Sequence, residues 1–200
     1  MLVLRSMDRY CRDTRNLQVD RMRSYVSTEL MQALVDHARA AGTAILEIYD
    51  RDDVSVTTKK DESPLTEADL ASHRILMSSL RASMPDVPIL SEESEMPAFD
   101  ERRSWHSYFL IDPLDGTKEF INRNAEFTVN IALIQDGMAV MGVVHVPVTG
   151  QTYTGMVSSG RRVAHLVDAD DQATEISTRS LPVSYTHLRA HETGRNRGWR

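Results

Sequence analysis

The densest chemistry in this chain lies in one stretch, Leu110-Ile111-Asp112-Pro113-Leu114-Asp115-Gly116-Thr117-Lys118-Glu119-Phe120. Two carboxylates, Asp112 and Asp115, stand directly behind an apolar run, Tyr108 to Ile111, that reads as a strand. Hard divalent cations take oxygen ligands, and Mg²⁺ is usually held by one or two carboxylates plus waters and phosphate oxygens. Gly116-Thr117 follows at once. A Gly-Thr turn that opens a helix offers free backbone N–H groups to a phosphate. Two metal-holding carboxylates beside a phosphate cradle are the parts of metal-assisted phosphoryl chemistry. Taken in isolation, Asp-Pro and Asp-Gly are better explained as ordinary turn chemistry, because short motifs match by chance.

Two other acidic clusters shift that balance. Leu90-Ser91-Glu92-Glu93-Ser94 follows Val87-Pro88-Ile89 and places paired glutamates at a strand end. Ser63-Pro64-Leu65-Thr66-Glu67-Ala68-Asp69 contains a capping box, with Thr66 at the N-cap and Asp69 where Glu or Gln is commoner. Capping alone accounts for Thr66 and Asp69 locally. Three acidic clusters at element boundaries, all before residue 120, favour a metal site over three coincidences.

The elements that carry these clusters are readable from periodicity. Leu30, Leu34, Ala38, Ala41, Ile45 and Ile48 recur at intervals of three and four, which predicts a helix over Thr28 to Tyr49. Val54 to Lys59 alternates as a strand does. A second helix is expected from Thr66 to Met84, ended by Pro85, with Leu70, Met77, Leu80 and Met84 inward. Asp136-Gly137, between Phe127–Gln135 and Met138–Val148, is a strong hairpin signal. Tyr153 to Val157 and Val163 to Val167 read as further strands. Met31, Met77, Met84, Met138 and Met141 are expected to fill the core. Helices followed by hairpin-linked strands argue for the α+β class.

The ordered motifs P-L-T-E-A-D, L-S-E-E, D-P-L-D-G-T-K-E-F and F-T-V-N-I-A-L-I resemble the inositol monophosphatase superfamily of Mg²⁺-dependent, lithium-sensitive phosphatases. Within it, DPLDGTKEF is similar to the bacterial CysQ-type 3′(2′),5′-bisphosphate nucleotidases. Inositol monophosphatases more typically carry Thr-Asn where this chain has Lys118-Glu119. The resemblance spans about residues 30 to 182. It implies the N-terminal part of a layered α-β-α-β-α sandwich and two or three Mg²⁺ ions. The implied substrate is a small phosphorylated nucleotide, 3′-phosphoadenosine 5′-phosphate, cleaved to AMP and phosphate. Acting on inositol or sugar phosphates is the nearest alternative, and an inactive, binding-only fragment is another.

The same resemblance assigns roles. Glu92 would bind the first metal and orient the attacking water, and Asp112 would bridge two metals. Leu114 would lend its carbonyl and Asp115 would bind the second metal. Gly116 and Thr117 would hold the phosphate through their N–H groups, and the Thr117 hydroxyl would position water. Asp69, with Thr66, would hold or activate that water. Lys59 occupies the place of a lysine near a third, weaker metal, and Lys118 and Glu119 would shape substrate preference. The family's W-D-x-A motif has no counterpart, since the tryptophans are Trp105 and Trp199 and Arg200 follows the latter. The expectation is therefore a weak second metal site.

Composition sets outer bounds. The 200 residues carry a formal net charge of −6, with 41% hydrophobic and 26% charged residues, which suits a globular protein. That charge gives no electrostatic footprint for nucleic acid. A lone cysteine, Cys11, permits no internal disulfide and suits a reducing cytoplasm. The apolar stretch from Met138 to Val148 is too short to span a bilayer, so contact with the inner membrane face would be peripheral. Residues 1–28 are expected to be a basic arm or a mis-assigned start, and residues 29–181 the N-terminal part of the phosphatase domain. The stretch S-Y-T-H-L-R-A-H-E-T within residues 182–200 resembles translated adapter sequence, and that tail is expected to be foreign to the fold. Its His187, His191 and Glu192 run H-x-x-x-H-E, not the H-E-x-x-H of zinc proteases.

Overall fold

The computed structural model describes residues 26–51, 56–58, 64–158 and 160–178. The expectations for residues 182–200, for most of 1–28 and for Lys59 lie outside these. The elements are α1 (Thr28–Tyr49), β1 (Val56–Thr58), β2 (Pro64–Thr66), α2 (Glu67–Ser83), β3 (Ile89–Ser91) and α3 (Phe99–Arg102). There follow β4 (Ser107–Asp115), α4 (Thr117–Ile121), β5 (Thr128–Gln135), β6 (Met138–Val146), β7 (Gln151–Ser158), β8 (Arg161–Val167) and β9 (Ala173–Glu175).

Helix α1 begins where a serine can satisfy its first free N–H groups. The Ser27 hydroxyl accepts from Leu30 N–H at 3.1 Å, and Glu29 complements the positive end of the helix. Its buried stripe runs Leu34, Val35, Ala38, Ala41, Gly42, Ile45 and Ile48. Helix α2 starts at the Thr66 capping box and buries Ala68, Asp69, Ser72, Leu76 and Leu80. That stripe, stepping by three and four, bypasses Leu70, which is 41% exposed instead of inward. The other correction concerns Met138, expected in the core but 60% exposed because it immediately follows the hairpin turn.

One seven-stranded sheet, ordered β3-β4-β5-β6-β7-β8-β9, carries both helices. Strand β3 pairs with β4 in parallel, and every later pair is antiparallel. Asp136 and Gly137 both adopt positive φ, 47° and 77°, as a two-residue hairpin twisted to match its strands requires. Strand β4 outruns its expected four residues because Pro113 does not end it. The proline sits where the β4–β5 register shifts between Asp112 and Asp115, a place that tolerates a missing donor. Neither β9 nor the single turn α3 was foreseen from the sequence.

Burial alternates along β4. Ser107, Phe109 and Ile111 turn inward toward the helices, while Tyr108, Leu110 and Asp112 occupy the other face. On that second face Leu110, Val144 and Tyr153 are 44%, 41% and 40% exposed. The described residues thus form two layers, a helical pair on one face of a mixed sheet, within the expected α+β class. Phe109, Phe120, Phe127, Leu34, Ile45 and Leu133 fill the space between the layers. Tyr49, Phe120 and Phe127 form a tilted aromatic cluster with centroids 5.0–5.4 Å apart. It fastens the short helix α4 to the end of α1.

Gly42 marks the closest approach of α1 to the sheet. A Cβ there would lie 2.7 Å from the ring of His145, which is itself held by Thr152 Oγ1 at 2.9 Å from Nδ1. On an open helix surface Gly→Ala would stabilise by about 1 kcal/mol. Here the ring cannot move aside, so Gly42→Ala should instead destabilise by about 1–3 kcal/mol in urea unfolding.

His145 itself makes a pH prediction. Burial, and then the Arg39 charge, push its imidazole down to about 4. The unfolded chain takes that proton near 6.5, about the free value. Between those values the unfolded state binds a proton the native state does not, so native stability falls as the pH drops from about 6.5 to 4. The loss approaches roughly 3 kcal/mol at most. Denaturation curves across this range should be visibly flatter for His145→Gln than for the natural chain.

Candidate metal and phosphate site

The acidic clusters converge at the carboxyl ends of β3 and β4. Parallel pairing sets Ser91 opposite Ile111, and Glu92 N–H then donates to the Ile111 carbonyl at 3.2 Å. This register carries Glu92 to the side of Asp112, although twenty residues separate them in the chain. The two side chains are hydrogen-bonded to each other. Burial, then the negative charges of Glu92 and Asp115, push the Asp112 carboxyl up to about 7. Acids whose charges oppose one another in this way form a site short of positive charge.

Local geometry fixes the loop that carries them. Asp112 Oδ1 accepts from Leu114 N–H at 3.2 Å, and Ser72 Oγ donates to the Pro113 carbonyl at 2.6 Å. Leu114 is buried, whereas Asp115 reaches solvent. Asn130 Nδ2 donates to Asp115 Oδ2 at 3.1 Å. Thr128 Oγ1 donates to Asn130 Oδ1 at 3.1 Å, which turns the amide's N–H₂ toward the aspartate. Neither Asn130 nor Ser72 was singled out from sequence. Asn130 lies within F-T-V-N-I-A-L-I, but only the β4–β5 register, Asp112 opposite Asn130, connects it to the acids.

The second half of the site begins at Gly116, whose φ of 96° is open to glycine at little cost. A Cβ there would also come within 2.8 Å of the Glu126 carbonyl. Thr117 opens α4, and its hydroxyl faces Asp69 Oδ1 at 3.1 Å and the Leu114 carbonyl at 3.3 Å. Asp69 is fully buried. Its Oδ2 accepts from Thr66 N–H at 2.8 Å and from the Thr66 hydroxyl at 2.5 Å, so the carboxylate that caps α2 also holds Thr117. Lys118 and Glu119 occupy the first turn of α4, with Lys118 exposed. The structure thus draws Asp69, Glu92, Asp112, Leu114, Asp115, Gly116, Thr117 and Lys118 to one end of the sheet.

The donor set is all oxygen, which suits a hard cation. Among the described residues no three Asp, Glu, His or Cys side chains are gathered tightly enough to hold an ion by themselves. Mg²⁺ does not demand such a cage, because it keeps several waters and takes substrate oxygens as ligands. Beside Glu92, Asp112 and Asn130 the open sheet face forms an apolar groove of about 420 Å³ that includes Leu110, Ala132 and Val144. Among the described residues no helix is long and apolar enough to cross a membrane.

Comparison with known proteins agrees with this arrangement. The inositol monophosphatase family model matches residues 27–197. The 3′(2′),5′-bisphosphate nucleotidase CysQ of Escherichia coli K12 is 52% identical over 118 residues, covering 58% of this chain and 48% of that protein. The crystal structure of CysQ from Bacteroides thetaiotaomicron matches at 41% identity and a TM-score of 0.56, over 68% of this chain and 48% of that one. The extragenic suppressor protein suhB of Bartonella henselae matches at 27% identity and a TM-score of 0.63, over 76% and 56% respectively. This chain spans about half the length of the curated relatives it matches. The ordered acidic motifs, the sheet that gathers them and these likenesses agree, and the chain belongs to the inositol monophosphatase family.

Proposed function

We propose that this chain carries the metal and phosphate site of a Mg²⁺-dependent phosphatase. The proposed reaction releases the 3′-phosphate of 3′-phosphoadenosine 5′-phosphate as inorganic phosphate, leaving AMP. The observation that carries the reading is the convergence of Glu92, Asp112 and Asp115 on the Gly116-Thr117 turn at the carboxyl ends of β3 and β4. Substrate choice is supported by the 52% identity to a protein named as a 3′(2′),5′-bisphosphate nucleotidase.

In this reading Glu92, Asp112, Asp115 and the Leu114 carbonyl would hold Mg²⁺, two or three ions in all. Bound Mg²⁺ would lower the pKa of a water and neutralise charge on the departing oxygen. The protein's own contribution is positioning. Because the Thr117 hydroxyl gives its hydrogen to Asp69, its oxygen lone pairs are available to accept from a water and so to aim it. Thr66 holds Asp69 in turn, which keeps that hydroxyl in one orientation. Gly116 and Thr117 N–H groups bind the phosphate, and Lys118 adds a cation beside it. Little covalent work falls to the protein, as is general for phosphoryl transfer. The second reading, an inositol or sugar monophosphatase, draws support from the matching family model, which is that of the inositol monophosphatases.

Phosphate release should be measured from 3′-phosphoadenosine 5′-phosphate and from inositol 1-phosphate in parallel, with and without Mg²⁺. Mg²⁺-dependent release from the nucleotide in clear preference to the inositol ester is expected, and the reverse preference would overturn the nucleotide reading. Asp112→Asn should lower turnover at least 100-fold, since it removes a shared ligand. It should leave the melting temperature in metal-free buffer at pH 8 unchanged or higher, because it also removes one of three opposed charges. An Asp112→Asn protein of normal turnover would rule out the assignment of that residue.

A further inference from the structure

Three polar side chains on the first two turns of α2 each reach a different loop of the site. Asp69 holds Thr117, Ser72 holds the Pro113 carbonyl, and His73 meets Ser91, with Nδ1 and Oγ 2.9 Å apart. Positions 69, 72 and 73 are spaced i, i+3 and i+4, so one helix face addresses all three. The first of these belongs to the mechanism proposed above. The His73–Ser91 contact does not, and it lies directly behind Glu92.

Ser91 is 2% exposed and closes the end of β3. Its Oγ accepts from Glu93 N–H at 3.3 Å, and its carbonyl accepts from Ser94 N–H at 3.1 Å. These two bonds define the turn in which Glu92 stands. A serine hydroxyl has one hydrogen to give and two lone pairs to accept with, so Oγ can take Glu93 N–H and still give its hydrogen to His73 Nδ1. Such a bond needs a neutral ring, and burial together with Arg81 and Arg74 holds the His73 imidazole below its ordinary value. The chain of contacts then runs from α2 through His73 and Ser91 to the Glu92-Glu93 turn.

We propose that His73 is a positioning residue for Glu92, acting through the Ser91 hydroxyl to hold the β3 turn where its carboxylate can share a cation with Asp112. The inference rests on the metal-site reading above. Ligand positions set from behind are tuned by such supporting bonds, whose loss typically weakens metal affinity 10- to 100-fold. His73 is bonded to Ser91 and is not itself one of the proposed ligands, so the effect argued here passes through Ser91.

The test is direct binding of Mn²⁺, followed by the electron paramagnetic resonance of the free ion, on the full chain without substrate. His73→Ala should weaken Mn²⁺ binding about 10-fold, and Ser91→Ala by a similar factor. The double variant should lose no more than either single one, because both break one chain of contacts. His73→Asn, whose amide oxygen stands near the place of Nδ1, should recover most of the affinity. Amide hydrogen exchange at Glu93 should quicken in His73→Ala while the helical amides of α2 stay protected. Unchanged Mn²⁺ affinity in a folded His73→Ala overturns the proposal, even if its melting temperature falls, since a merely structural histidine would behave that way. Multiplying losses in the double variant also overturn it. A natural chain that takes up no Mn²⁺ overturns the metal reading itself, and this inference with it, which separates the two failures.

Discussion

The buried carboxylate of Asp69 is the constraint on which the geometry of the site depends. A fully buried acid is costly unless its oxygens are satisfied. Asp69 meets that demand by dividing its two oxygens. Oδ2 closes the capping box with Thr66 and so fixes where α2 begins. Oδ1 takes the Thr117 hydroxyl and so fixes where α4 begins. One side chain therefore ties the start of a long helix to the Gly116-Thr117 turn, 48 residues later. Ser72, one turn further along α2, repeats the device on the Pro113 carbonyl. The loop that carries Asp112 and Asp115 is thus held from the helix side as well as by its strand.

A second constraint opposes the first. The sheet places Glu92, Asp112 and Asp115 close enough for their charges to interact, and half-buries the middle one. Fold stability gains nothing from this; burial and the neighbouring negative charges raise the Asp112 carboxyl above its ordinary value. Such mutual opposition is what a cation relieves, and a strained acidic cluster at strand ends is where binding is expected to be strongest. The backbone around it is correspondingly over-determined. The parallel β3–β4 ladder, the Leu114 N–H to Asp112 bond and the Asn130 amide each hold one acid in place. Rigidity there is supplied by neighbours that bear no charge of their own.

The apolar side of the molecule serves the same end. Tyr49, Phe120 and Phe127 lock α4 against α1, so that a helix of only five residues keeps a defined orientation. Isolated helices of that length are not stable in water. Gly42 lets α1 approach the sheet closely enough to cover His145 and the inward faces of β5 and β6. The opposite face of the sheet, with Leu110, Val144 and Tyr153, has no helix over it among the described residues. The acids stand at the end of that open face, beside the groove it forms.

The two main helices, the Asp136-Gly137 hairpin and the Thr66–Asp69 box were legible in the chain because each rests on contacts within a few residues. Periodicity, capping and turn chemistry are local, and local rules located them to within a residue or two. The same rules misjudged Leu70 and Met138, whose burial depends on which stripe faces a neighbour. They also ended β4 too early, because Pro113 is tolerated only through a register shift that a single strand does not reveal. For the site, sequence by itself determined the acidic motifs and their order, since the carboxylates and the Gly-Thr turn are consecutive. Only the tertiary structure decided that Glu92 lies against Asp112, that Asn130 turns toward Asp115, and that His73 stands behind Ser91. Those pairings span 15 to 20 residues and follow from strand register and helix docking, which are set by packing between elements and not by any residue's nearest neighbours.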